Sequence, residues 1–134
     1  MKKGIKNKGA VFLIVVFAIA FLATITVGIL VMTTEELQLM QNQLYAAKAL
    51  ETAEAGLNDA FAQIRASSSW TAGFTGKSFH GDTYTVTVTG TLPTRTITST
   101  ATSSQGYVAR VVADVTIGSS SPYVIRVDNL RINE

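Results

Sequence analysis

Cysteine is absent from the chain, which rules out a disulfide framework, a thiolate metal site and a cysteine nucleophile. Histidine occurs once, at His80, too few for a histidine metal cluster or a histidine-based acid–base pair. Charge is also scarce: Asp, Glu, Lys and Arg make up 15% of 134 residues, against about a quarter in ordinary soluble domains. That length allows one domain, or one small domain plus an appended element. The pI of about 9.0 points first to an anionic partner such as nucleic acid, and the placement of the charges removes that inference. Four of the eleven basic side chains are Lys2, Lys3, Lys6 and Lys8, whereas every acidic residue lies beyond residue 34. From residue 10 onward, seven basic side chains face nine acidic ones, a net of −2. No Lys/Arg cluster with interleaved aromatics follows, so the electrostatic footprint of a nucleic-acid site is missing.

What the chain does contain begins directly after the basic tip. Residues 10–32 carry no charge, and their only polar members are Thr24 and Thr26. As a helix these 23 residues span roughly 35 Å, enough for a hydrocarbon core of about 30 Å. Both threonines can bond back to the preceding turn, so neither need break a membrane helix. Lysines before the run and Glu35 and Glu36 after it keep the N-terminus cytoplasmic and export the remainder. An ordinary cleaved signal has an apolar region of about 7–15 residues before its cleavage site. Here Ala18-Ile19-Ala20 lies well inside the run, which argues against that reading. A plain signal anchor stays open.

Helical character continues past the membrane boundary. Between Thr33 and Ala66 there is no Pro and a single Gly, Gly56. Leu37, Met40, Leu44, Ala47, Leu50, Ala53, Leu57, Phe61 and Ile64 recur at steps of three or four, the spacing of an amphipathic stripe. Residues 10–66 therefore read as one helix, apolar all round in its first half and along one stripe in its second. Ser67-Ser68-Ser69 ends it, and Trp70 is placed to pin the junction. Strands follow. Thr83–Thr89 alternates strictly, Arg95–Ala101 more weakly, Tyr107–Ile117 at length, and Tyr123–Ile132 comes last. Gly90–Pro93, Gln105-Gly106 and Gly118–Pro122 supply the turns. The fold class is α+β: a long N-terminal helix packed on a small antiparallel meander of about four strands. Its organisation is a tip at 1–9, an apolar helix at 10–32, an amphipathic continuation at 33–66 and a sheet at 67–134.

A single small sheet needs cover for its apolar face. Leu50, Leu57, Phe61 and Ile64 are the candidates to pack on Tyr84, Val86, Val111 and Val115. Gly56 reads either as a point of close approach or as a tolerated helix glycine costing about 1 kcal/mol. Glu51 and Glu54 are candidates for contacts with Lys48 or with neighbouring subunits. His80 and Asp82 lie near each other between glycines, and a solvated loop is the simpler reading, since a metal needs three or four ligands. Asp114 and Asp128 stand isolated on the polar side of strands, and the serine runs lack the G-x-S-x-G setting of a nucleophile. No catalytic constellation, metal site or cofactor site is expected.

A short Lys-rich leader ending in Gly, an apolar helix of about 20 residues, an amphipathic continuation and a small sheet together resemble class III signal-peptide proteins. These are the type IV pilins and the type II secretion pseudopilins. Lys8-Gly9-Ala10 is similar to their prepilin-peptidase site. The resemblance implies cleavage after Gly9 and N-methylation of Ala10. Glu35-Glu36-Leu37 followed by Ala46 to Asn58, with its A-E-A-G-L-N run, resembles the N-terminal segment of PilX-type minor pilins. The match covers about residues 4–66, and the sheet matches only in general character. One position departs from the pattern: where major pilins carry a Glu five residues into the mature chain, this sequence has Ile14. In the family that carboxylate pairs the α-amino group of the next subunit, and a buried ammonium is costly when unpaired. The resemblance thus implies a minor, tip-located or initiating subunit of a type IV pilus. A minor pseudopilin of a type II secretion system and an uncleaved, signal-anchored periplasmic binding or adaptor module are the alternatives. Implied partners are other pilin or pseudopilin subunits, prepilin peptidase, an inner-membrane assembly platform and, before assembly, membrane lipid. Helix–helix and Glu51, Glu54, Gly56, Leu57 and Phe61 contacts would serve packing within or between subunits. The implied location is the bacterial inner membrane, single-pass, and then a filament in the periplasm or at the cell surface. Any binding surface belongs on the Thr-rich sheet face or its loops.

Overall fold

A computed structural model describes residues 4–133. One helix, α1 (Gly4–Ala66), precedes five strands, β1 (Phe74–Phe79), β2 (Asp82–Thr89), β3 (Thr94–Thr102), β4 (Val108–Ile117) and β5 (Ile125–Asn133). The chain divides into two units, Met1–Gln41 and Asn42–Glu134.

In the first unit the helix is apolar on every side and all its described side chains are exposed, from Val11 through Met32. It is long and apolar enough to cross a membrane. Its threonines keep their hydroxyls satisfied within the helix: Thr24 donates to Ala20 O at 2.9 Å and Thr26 to Leu22 O at 2.8 Å. Thr33 does the same to Ile29 O at 2.9 Å. These bonds hide the hydroxyls from an apolar medium, where an unpaired one costs several kcal/mol.

The second unit is α+β, with the remainder of α1 packed on an antiparallel sheet in the order β1-β2-β3-β4-β5. Alternation sorts the side chains of the strands into two faces. Tyr84 and Val86 of β2, Ile97 and Ala101 of β3, and Ala109, Val111, Ala113, Val115 and Ile117 of β4 form the inner face. On the opposite face, β2 and β3 meet in four successive threonine pairs: Thr83–Thr102, Thr85–Thr100, Thr87–Thr98 and Thr89–Thr96. Their β-branched stems suit a pleated strand, and their hydroxyls suit water. The weak alternation of β3 has a plain cause: its inner face includes Arg95 and Ser99, both buried.

One expectation is corrected. The meander has five strands rather than about four, because Phe74–Phe79 pairs with β2. That strand carries Gly76 at φ +57° and its register shifts between Phe74 and Lys77, so the sequence FTGKSF shows no alternation. It is an edge strand, where bulges are most common. The covering face of α1 contains all four expected residues, Leu50, Leu57, Phe61 and Ile64. Its fully buried residues are Ala49, Thr52, Ala53, Gly56, Leu57, Ala60 and Ile64, while Leu50 and Phe61 sit half-buried at the margins. Apart from Leu57 and Ile64, the buried helix residues are small and lie opposite the larger side chains of the sheet.

Candidate functional site

In the first unit the residues of interest are Gly9, Ala10 and Ile14. All three lie inside α1, which runs without a break from Gly4, and all three are exposed. A methyl group added at Gly9 would touch nothing within 4 Å, so packing within the chain makes no demand for glycine there. The same is true of Gly28. Ile14 belongs to a continuous apolar surface with Leu13, Phe17 and Phe21.

In the second unit, Gly56 brings the backbone of α1 close against the sheet. A Cβ built there would collide with the Ser99 hydroxyl and come within 2.7 Å of Tyr84 Cδ2. The ring of Tyr84 passes beneath Gly56, and its hydroxyl donates to Asp59 Oδ2, one turn further along the helix. Lys77 of β1 closes the group, with Nζ 2.5 Å from the same oxygen and 4.8 Å from the centre of the Phe74 ring. These donors hold the Asp59 carboxyl below its ordinary value of 3.8, the Lys77 hydrogen bond contributing most and Tyr84 next. Burial, followed by the bond to Asp59, pushes the Tyr84 phenol above its ordinary value of 10.0.

Leu57 is buried beside Gly56, and Phe61 packs against the edge of the same core. Glu51 and Glu54 are exposed, and no ion pair among the described residues involves them. Lys48, the alternative to neighbouring subunits as partner of Glu51 and Glu54, reaches towards Asp82, with Nζ 3.9 Å from Oδ1.

Asp82 is the group that reasoning from the sequence placed wrongly. Its side chain is fully buried and not part of a solvated loop. Oδ1 accepts the Ser104 amide at 2.9 Å, and Oδ2 accepts the Thr52 hydroxyl at 3.4 Å. One carboxylate thereby joins the start of β2, the turn after β3 and the buried face of α1. The turn is further held by Tyr107 N–H donating to Ser103 Oγ at 3.0 Å. Tyr107 also reaches the helix, its hydroxyl 2.5 Å from Asn42 Oδ1 and its ring stacked on Tyr45 at 5.9 Å. His80 stands apart from Asp82, exposed and stacked on Phe79 with ring centroids 4.3 Å apart. It forms a two-residue turn with Gly81, at φ 49° and 88°. Positive φ at both positions is the hairpin geometry that suits the twist of the flanking strands, and His-Gly was the available signal for β1.

On the outer face Asp114 and Asp128 are not isolated. Asp114 accepts from Thr96 at 2.8 Å and pairs with Arg131 at 2.9 Å. Asp128 accepts from Thr116 at 2.5 Å and pairs with Arg126 at 2.6 Å, and these two bonds, Thr116 first, draw its pKa down. Each carboxylate is committed to its own arginine. Among the described residues, no group of three or more metal-ligating side chains comes together. Trp70 lies between helix and sheet, 5.3 Å from the Phe74 ring, and its carbonyl accepts from Arg95 Nη1 at 3.5 Å.

No family model, curated protein or solved structure matches the chain.

Proposed function

We propose that this chain is a minor pilin-like subunit that is processed by prepilin peptidase and takes part in assembling or priming a type IV pilus. Its role is structural rather than catalytic. The observation that carries the proposal is α1 itself: one helix whose first part is apolar and uncovered on every side, and whose last part is the structural spine of a small sheet. An uncovered apolar helix must end in lipid or against other helices, since its exposed surface is unfavourable in water. Cleavage after Gly9 removes all four leader lysines, and with them the charge that holds the N-terminus on the cytoplasmic side. Lipid contacts then exchange for helix–helix contacts in a filament core. With Ile14 in place of a carboxylate, the subunit brings no partner for the buried ammonium of a neighbour, which favours a position at the tip or in an initiating complex.

The uncleaved signal anchor keeps one point in its favour: α1 is unbroken through Gly9–Ala10, so the scissile bond must leave the helix before a peptidase can act. Co-expression with a prepilin peptidase, followed by intact-mass measurement, separates the two readings. A loss of residues 1–9, a methyl increment on Ala10 and a block by Gly9→Ala are expected. An intact leader in the presence of active peptidase would sink the pilin reading and leave the anchor.

A further inference from the structure

A helix with its side chains is about 10–12 Å across, whereas five strands about 4.8 Å apart span about 19 Å. One helix cannot cover such a sheet. In this structure the inner faces of β2, β3 and β4 are covered, whereas on β5 only Ile125 packs against the core. Val127, Leu130 and Ile132 lie beside the buried Val115, Ala113 and Val111, yet remain 46%, 53% and 49% exposed. Two hollows follow the seam between α1 and β5. One of about 540 Å³ is walled by Ala46, Ala47, Leu50, Tyr107 and Ile132. The other, of about 210 Å³, is walled by Glu54, Leu57, Asn58, Val111 and Leu130.

The shape and charge of the seam restrict what fits it. An added strand is disfavoured, because β5 is interrupted by a bulge at Asp128 and carries Arg126, Asp128 and Arg131, the devices that protect an edge from pairing. A helix suits the space, since Ala46 and Ala47 permit the close axial approach of about 8–10 Å typical of packed helices. The exposed flank of α1 at the seam is acidic: Glu51 and Glu54 have no ion pair among the described residues. Nearby cations are engaged elsewhere, Lys48 towards Asp82 and Arg126 and Arg131 with Asp128 and Asp114. A second copy docked by the same face would set another Glu51 and Glu54 against the first pair. We propose that the seam between α1 and β5 docks an α-helix of a different protein, apolar along one stripe and basic along its flank. This rests on the assembly reading only for the partner's being another filament subunit; the docking itself does not depend on leader cleavage.

The test uses the full chain in nanodiscs of zwitterionic lipid. The probe is a fluorescent helical peptide of about 18 residues with leucines at i, i+3, i+4 and i+7 and lysines beside the stripe. Its twin carries glutamates at the lysine positions, and empty nanodiscs give the blank. Fluorescence anisotropy should show the lysine peptide binding at least roughly tenfold tighter than its twin. Leu130→Glu, at an exposed position that tolerates charge, should weaken binding by roughly tenfold or more, and Glu51→Lys with Glu54→Lys should reverse the preference between the twins. Thr87→Glu on the opposite face should change nothing. Equal binding of the twins, no binding above the blank, or indifference to Leu130→Glu would each overturn the proposal. So would a native-mass dimer that Leu130→Glu disperses, because a second copy would then fill the seam. An uncut leader with peptide binding intact would remove the pilus reading and leave the docking site standing.

Discussion

Beneath Gly56 the Tyr84 ring and the Ser99 hydroxyl occupy the space where any other residue would place its β-carbon. Gly56→Ala gains about 1 kcal/mol in helix propensity but forces the sheet away, and overpacking of a filled core typically costs about 1–3 kcal/mol. The expected outcome is net destabilisation in urea unfolding, followed by near-UV circular dichroism. Ser99→Ala in the same chain should recover part of the loss, since it removes the nearest atom and also a hydroxyl with no hydrogen-bond partner. Asp59 sets a pH dependence. A carboxylate whose folded pKa is depressed contributes stability above its unfolded pKa and loses it as pH falls through the folded value. Asp59 is partly exposed, so screening keeps the contribution small. Asp59→Asn should lower stability at pH 7 by about 0.5–1 kcal/mol, and the difference from the wild type should vanish well below pH 3.8. Tyr84 acts in the opposite sense: its raised pKa adds stability that is lost as pH rises above 10.0. A thermal-melting series across pH should decline at both ends.

Among the elements, Asp82 links three that are distant in sequence. Removing its carboxylate leaves the Ser104 amide without its acceptor, and an unsatisfied buried donor costs about 1–3 kcal/mol. Asp82→Ala should lower stability by that amount and accelerate hydrogen exchange at Ser104 and across the turn Ser103–Tyr107, with the middle of β3 changed less. The elements themselves were unequally legible. The helix end at Ala66 and the four later strands follow from local pattern: absence of Pro, alternation of Thr with Val, and glycine turns. The bulged edge strand β1 escapes that reading because its pairing is fixed by the His80-Gly81 turn and not by alternation. The buried face of α1 is legible in part: periodicity marks Ala53, Leu57 and Ile64 within it and Leu50 and Phe61 at its margins. The small Ala49, Thr52 and Ala60 carry no such signal, and their burial depends on the bulk the sheet brings to meet them. Asp82 looks polar and loop-borne from its neighbours, and long-range contacts with Thr52, Ser104 and Lys48 make its burial tolerable.

At the scale of the whole molecule, the chain pairs an uncovered apolar helix with a sheet that one helix cannot cover. Both surfaces call for other molecules, lipid or protein. Under the assembly reading, Ile14→Glu adds the carboxylate that a neighbour's ammonium requires. The variant should enter the filament shaft more often than the wild type, read as the spacing of gold-labelled copies along sheared filaments. Deleting the gene should reduce the number of filaments more than their length, because a tip or initiating subunit acts once per filament. Labels spread along the shaft in the wild type would contradict the tip position.

The ladder of four threonine pairs between β2 and β3 also bears on how faithfully the chain reaches this fold. If β2 slid by two residues along β3, all four of its threonines would again face threonines, Thr89 now opposite Thr94, so the outer face barely distinguishes the slipped sheet from the native one. Discrimination must come from the inner face, where Tyr84 opposes Ala101 and Val86 opposes Ser99. In the slipped sheet Tyr84 would oppose Ser99, and two bulky side chains, Val86 and Ile97, would face each other. Because register is specified wherever one face is buried, the helix arriving with Gly56 over Tyr84 acts as the proofreader of strand alignment. A sheet formed before α1 docks has a near-degenerate alternative, and one formed against α1 does not.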